Sequence, residues 1–171
     1  MTRALIICGL HDLPRLAADH RQAHVAGFLA AASEHPPLPV AEERRLRLSF
    51  HDVAMPLPGF TPPSAEQMAR LIGFVRGWRD AGAGPLISHC FAGISRSTAG
   101  AFIARCVLEE ERDEMDIAQQ LRGIAPTATP NPLMVALADE LLERDGRMVA
   151  AIAAIGRGED AYAGDVSIWP L

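Results

Sequence analysis

Hydrophobic and polar positions divide the 171 residues into short apolar runs in the first half and longer stretches of helical period in the second. Ala4 to Cys8 is an unbroken apolar run stopped by Gly9 and predicts a buried strand. Leu13 to Arg21 predicts one short helix, and His24 to Ala30 a second strand. Ser33 to Pro39 holds three prolines and reads as a loop. Arg45 to Phe50 alternates polar and apolar, the period of a half-buried strand, and leads straight into His51-Asp52. Pro56 to Pro63, with four prolines and a glycine, is an irregular surface loop.

Ser64 with Gln67 forms a capping box, after which Met68, Leu71, Ile72, Val75 and Trp78 repeat at helical spacing toward an end near Gly82. Pro85 to Cys90 predicts another strand. Ser95 to Glu111 predicts a central buried helix, since it is almost wholly apolar through Leu108. Met115 to Ile124 and Pro132 to Arg144 predict two more. The second of these opens with Asn131 as N-cap and Pro132 in the first turn. Arg147 to Ile155 predicts a last helix stopped by Gly156, and Ile168, Trp169 and Leu171 imply that the tail packs back.

Strands, then a strand-loop-helix, then a run of helices predict an α/β fold: a short, mostly parallel sheet of four or five strands with helices on both faces. The length fits a single domain over residues 1–171 with a sizeable core. Composition changes this picture little. Hydrophobic residues at 49% and charged residues at 22% are those of an ordinary globular chain. The net charge of −5 and the lack of any long basic run argue against a nucleic-acid or anionic-membrane partner. Three cysteines without regular spacing argue against a disulfide framework, and the first apolar run is too short for a signal segment, so a cytoplasmic location is expected. The sequence carries no signal for an oligomeric state.

Chemistry concentrates in His89-Cys90-Phe91-Ala92-Gly93-Ile94-Ser95-Arg96-Ser97. A strand that turns through a tight loop into a helix start aims backbone N–H groups and the positive end of the helix dipole at one point, which suits a tetrahedral anion and needs no metal or other cofactor. Arg96 can fork two donors onto two anion oxygens. Thiols at such helix starts titrate at roughly 3.5 to 7.5, so Cys90 is expected to be a thiolate aimed at phosphorus. Gly93 permits a positive φ or a close backbone approach. The Ser97 hydroxyl can donate to the sulfur, and His89 can brace the loop.

These nine residues resemble the signature of the protein tyrosine phosphatase superfamily, His-Cys-x2-Gly-x2-Arg-Ser/Thr, and the wording from Ala92 to Ser97 is most similar to the dual-specificity branch, here as a small cysteine phosphatase of bacterial type. The resemblance implies a phosphatase-like α/β fold and hydrolysis of a phosphorylated protein or a small phosphomonoester through a phosphocysteine. Phe91, Ala92, Gly93, Ile94, Ser95 and Arg96 would bind the phosphate. It also implies a general acid on a loop some tens of residues before the nucleophile.

Asp52 takes that role by position, at the end of the third strand, which is expected to lie beside the strand carrying Cys90. Asp12 is the reserve, with helix capping as its ordinary role. Pro126 to Asn131 resembles a dual-specificity segment in which a Pro-Asn pair opens a late helix near the site. The uncharged side chains inside the loop argue against lipid and inositol-polyphosphate substrates.

Two other classes stay in view: a phosphate-binding module without turnover, and a rhodanese-like sulfurtransferase, whose loop cysteine also sits over a helix start. His20 and His24 have metal-ligand spacing if helical, but no third ligand is near in sequence. His51 either tunes Asp52 or faces solvent, and Cys106 reads as core. Cys8, on a neighbouring strand, is a candidate for a protective disulfide with Cys90.

Overall fold

The computed structural model describes residues 3–81 and 84–171. The elements in chain order are β1 (Ala4–Gly9), α1 (Leu13–Asp19), β2 (His24–Leu29), β3 (Arg45–Ser49), α2 (Ala65–Ala81), β4 (Leu86–Cys90), α3 (Arg96–Leu108), α4 (Glu114–Ile124), α5 (Pro132–Leu141), α6 (Arg147–Ile155) and β5 (Ser167–Pro170). The expected stop of α2 at Gly82 lies outside the described residues. The capping box forms as read: the Ser64 amide donates to Gln67 Oε1 at 3.1 Å and the Gln67 amide to Ser64 Oγ at 3.2 Å.

The five strands make one sheet in the order β3-β2-β4-β1-β5, parallel except for the antiparallel pair β1-β5. The expected α/β fold with a mostly parallel sheet and helices on both faces is therefore found. Coverage of the faces is unequal. One face packs Leu5, Ile7, Phe28, Leu48 and Leu86 under Trp78 and Phe102 and the apolar sides of α4, α5 and α6. The other packs Ile6, Cys8, Val25 and Ile87 under Leu13, Leu16 and Ala17 of α1 and under Val40. Helix α3 is buried at every position from Arg96 to Val107, as its apolar sequence predicts. Truncating a ring such as Phe102, fully buried at its centre, is expected to cost about 3–5 kcal/mol.

Several boundaries differ from the sequence expectation for definable reasons. Helix α1 ends at Asp19 because the chain turns at once, with the Ala23 amide on the His20 carbonyl at 2.8 Å. His24 is then the first residue of β2, so His20 and His24 share no helix and the metal-ligand spacing does not form. Helix α3 ends at Leu108, not Glu111, since three successive glutamates at a helix C-terminus oppose its dipole. Helix α5 ends at Leu141, not Arg144, because Arg144 turns inward to pair with Glu114 at 3.0 Å and to bond the Cys106 and Glu110 carbonyls. The tail does pack back, as β5, but of the three apolar residues only Trp169 is buried: Ile168 faces outward because alternate residues of a strand point to opposite faces, and Leu171, past the end of the strand, is exposed.

Four parallel strands end at the same edge, at Gly9, Leu29, Ser49 and Cys90. In sheets of this kind the crevice outside the carboxyl ends of the strands is where ligands bind.

Candidate active site

Cys90 is the last residue of β4 and is 3% exposed. The loop that follows is tied by its carbonyls. Phe91 C=O accepts from the Leu10 amide at 3.0 Å, Ala92 C=O from the Gly164 amide at 2.9 Å, and Ile94 C=O from the Thr129 amide at 2.9 Å and Thr98 Oγ1 at 2.6 Å. Ser95 C=O accepts from the Ala99 and Asn131 amides at 3.0 and 3.3 Å. The peptide bonds here are trans, so each carbonyl tied outward turns the next residue's N–H the opposite way. The amides of Ala92, Gly93, Ser95 and Arg96 thus face the inside of the loop, and that of Gly93 reaches Cys90 Sγ at 3.3 Å. Ser97 Oγ lies 3.2 Å from the same sulfur.

Gly93 satisfies both reasons for a glycine there. Its φ is +76°, and a Cβ would stand 2.7 Å from the Gly9 nitrogen and 2.9 Å from the Cys8 carbonyl carbon. Arg96 opens α3 and is 7% exposed. One guanidinium nitrogen donates to the Phe50 carbonyl at 2.8 Å, while its buried Nε has no partner among the described residues. Ser95 stands at the N-cap of α3 but its side chain does not cap the helix, which leaves the first-turn amides to a ligand. Its hydroxyl goes elsewhere, to Asp52.

Asp52 does not arrive from the strand beside Cys90, as expected: β2 lies between β3 and β4. The chain after β3 crosses that gap, with the Phe50 carbonyl taken by Arg96 and Asp52 Oδ1 accepting from Ser95 Oγ at 2.7 Å. Asn131 completes the grip. Its Nδ2 donates to Asp52 Oδ1 at 2.8 Å and to the Val53 carbonyl at 3.1 Å, while its Oδ1 caps α5 by accepting from the Met134 amide at 3.0 Å. The sequence reveals the cap but not the second contact, which spans 79 residues. The only advance signal is the resemblance that brings the Pro-Asn pair near the site.

His51 closes the loop that follows. Its backbone N–H donates to the Thr61 carbonyl at 2.7 Å, its Nδ1 accepts from the Thr61 amide at 2.9 Å, and its ring meets Phe60 edge-on at 5.3 Å. Asp12 is at the N-cap position of α1, but its carboxylate makes no cap bond and turns to Arg15 at 3.5 Å. Among the described residues the Asp12 carboxylate makes no hydrogen bond or ion pair with the Cys90 loop.

His89 points to the face of the sheet opposite Cys90. It is 2% exposed and packs edge-on to His35 at 6.3 Å, over Gly27, where a Cβ would come within 2.4 Å of its Nε2. Burial first, and then the neighbouring His35, push its pKa down to about 3, so the imidazole is neutral. His35 is a partner that the Pro-rich loop gave no reason to expect. Cys8 pairs in register with His89, so its side chain also leaves the sheet away from Cys90 and is unsuited to bridge it. Burial pushes the Cys8 thiol up to about 12. Cys106 is core, as expected, and burial raises its pKa too.

The site is thus a mostly parallel sheet whose central strand β4 feeds a tight loop and then a buried helix, an arrangement that the comparisons also find in phosphatases. Residues 48–126 match the family model for protein-tyrosine phosphatase. Among solved structures, the chain is similar to human DUSP28, at 17% identity over 82% of this chain and 92% of that one with a TM-score of 0.60. Cydia pomonella PTP-2 phosphatase is similar at 19% identity over 82% and 90%, with a TM-score of 0.62. Tk-PTP in the active form follows at 23% over 84% and 93%, with a TM-score of 0.55. Comparison with the curated proteins returns no match. The family model covers less than half of the chain, and at these identities the neighbours' structures show a shared fold, that of phosphatases of the protein-tyrosine and dual-specificity kind.

Proposed function

We propose that the protein is a cysteine-dependent phosphomonoester hydrolase of the protein tyrosine or dual-specificity phosphatase type. The observation that carries this reading is that the loop between Cys90 and Arg96 brings the Gly93 amide and the Ser97 hydroxyl to Cys90 Sγ and is joined through Ser95 Oγ to the Asp52 carboxylate, while the buried Nε of Arg96 has no partner among the described residues. The phosphate of a monoester lies in the loop from Phe91 to Arg96, met by N–H groups and the guanidinium. Cys90 thiolate attacks phosphorus in line, the bond from phosphorus to the ester oxygen breaks, and Asp52 gives its proton to that oxygen. The products are a phosphocysteine and a free alcohol or phenol.

Water then attacks phosphorus and gives its proton to Asp52, and the sulfur–phosphorus bond breaks to release inorganic phosphate. The Ser97 hydroxyl and the Gly93 N–H meet the departing thiolate. His89 supports the strand end from behind as a neutral ring. The whole chain, 1–171, works as one domain, which the pairing of β5 with β1 supports.

The substrate is a phosphorylated protein or a small phosphomonoester. An open mouth supports this: Phe91 is 71% exposed, and Met55, Leu57 and Phe60 on the Asp52 loop are also exposed. Such apolar walls favour phosphotyrosine, with room for phosphoserine or phosphothreonine. Three free cysteines support a reducing, cytoplasmic setting. No described helix is long and apolar enough to cross a membrane. The grip of Ser95 and Asn131 on Asp52 favours turnover over a binding-only module, and an acid over the Cys90 loop has no task in sulfur transfer.

The test is hydrolysis of p-nitrophenyl phosphate in excess EDTA by the parent protein and by Cys90→Ser. Turnover that survives the chelator and vanishes in the variant is expected. No turnover by the folded parent at any pH would overturn the reading in favour of phosphate binding alone.

A further inference from the structure

The segment between α6 and β5, residues 156–166, forms a strap across the outside of the Cys90 loop. It is fixed at both ends. At its start, the Arg122 guanidinium bonds the Gly156 carbonyl at 2.7 Å, the Gly158 amide donates to Thr129 Oγ1 at 3.1 Å, and the Glu159 amide to the Pro126 carbonyl at 3.0 Å. At its end it becomes β5, whose Trp169 is 2% exposed beneath Arg105, while Arg105 also bonds the Pro170 carbonyl at 2.6 Å.

Between these anchors the Gly164 amide donates to the Ala92 carbonyl at 2.9 Å. That carbonyl belongs to the peptide whose N–H, on Gly93, points at Cys90 Sγ. Turned the other way, the same peptide would present an oxygen to the sulfur and to any bound anion. Nothing larger than glycine fits at 164, since a Cβ would stand 2.8 Å from the Gly93 carbonyl oxygen and 3.2 Å from Thr127 Oγ1. Gly93 is therefore clamped between the end of β1 on one side and the strap on the other.

We infer that Gly164 is a positioning residue for the reaction: it locks the Ala92–Gly93 peptide so that its N–H faces the nucleophile and the phosphate. The inference rests on the phosphatase reading, but it is tested by anion binding as well as by turnover. Orthovanadate serves as the tetrahedral oxyanion probe. Gly164→Ala is expected to weaken inhibition by orthovanadate about tenfold and to lower kcat/KM for p-nitrophenyl phosphate by a similar factor, because a misplaced donor costs transition-state charge stabilisation. Tyr162→Ala, on the same strap but fully exposed, is expected to match the parent.

A strap that only adds stability would lower the melting temperature of Gly164→Ala and leave its orthovanadate constant unchanged, which would overturn the inference. Linkage gives a second measurement on the unmutated protein. If the strap favours the anion-binding loop, orthovanadate must in turn protect the strap, so amide exchange over residues 160–166 is expected to slow at saturation. Unchanged exchange there, in a parent that binds orthovanadate, would also overturn the inference, and this measurement decides alone if Gly164→Ala does not fold. A parent that binds no orthovanadate would remove the phosphatase reading and the inference together.

Discussion

The loop that carries Cys90 and the loop that carries Asp52 meet at one bond, from Ser95 Oγ to Asp52 Oδ1, yet they are held in different ways. In the first, the carbonyls of Phe91, Ala92, Ile94 and Ser95 are tied to three separate parts of the chain, at Leu10, Gly164 and Thr129 to Asn131, and Cys90, Gly93, Arg96 and Ser97 are buried. In the second, every residue from Ala54 to Thr61 is exposed, and His51 with Thr61 closes its neck. Backbone donors are useful to a phosphate only if they are aimed before it arrives, and many ties supply that aim. In the proposed reaction Asp52 must reach substrates of different shape as an acid, which an exposed loop on a closed neck permits. Asn131 and Ser95 are where the rigid part disciplines the open one.

That contrast is broken most severely at its rigid side. Arg96→Lys keeps the charge but loses the planar fork and the bond to Phe50, and kcat/KM for p-nitrophenyl phosphate is expected to fall by on the order of 10³. On the open side, Asp52→Asn is expected to cost roughly 10² in kcat with a phenyl phosphate, measured by steady-state kinetics. The loss should shrink with p-nitrophenyl phosphate, whose leaving group needs the proton less. Equal losses for both substrates would detach Asp52 from proton transfer.

Asn131→Ala tests the link itself. It is expected to lower kcat about tenfold at nearly constant KM, because the acid loses its orientation. It should also lower the stability of the fold by about 1 kcal/mol, because α5 loses its cap. The last effect lies behind the rigid loop and is read in stability. His89 is held neutral, with its folded pKa pushed down to about 3. Between that value and the unfolded value of about 6.5 the unfolded chain binds a proton that the folded one refuses, so stability falls as pH falls, by up to about 1.4 kcal/mol per unit. His24 and His35, also lowered by burial, act in the same direction. Urea melts of the parent and His89→Asn between pH about 7 and about 5 should show a shallower slope in the variant.

What could be read in the chain alone follows the range of each interaction. The Cys90 loop is a local object: nine consecutive residues, a strand before and a helix after, so its geometry was legible from the order of residue types. The alternation of Arg45 to Ser49 and the caps at Ser64 and Asn131 were legible for the same reason. The strand order was not, because nothing in β3 states that β2 will stand between it and β4; Asp52 was placed by its role and reaches the site by a different path. The second bond of Asn131, the packing of His35 on His89 and the strap at Gly164 all join residues far apart in sequence. Even β5 left a faint local trace, with Ser167 and Trp169 inward and Ile168 outward.

The measurement that bears most directly on the central claim is mass spectrometry of the intact protein, acid-quenched during turnover of p-nitrophenyl phosphate, followed by peptide mapping. The account predicts a species heavier by one phosphoryl group with the label on Cys90, accumulating further in Asp52→Asn, where the base for the second step is missing. Turnover without any phosphorylated cysteine, or with the phosphoryl group on another residue, would contradict it.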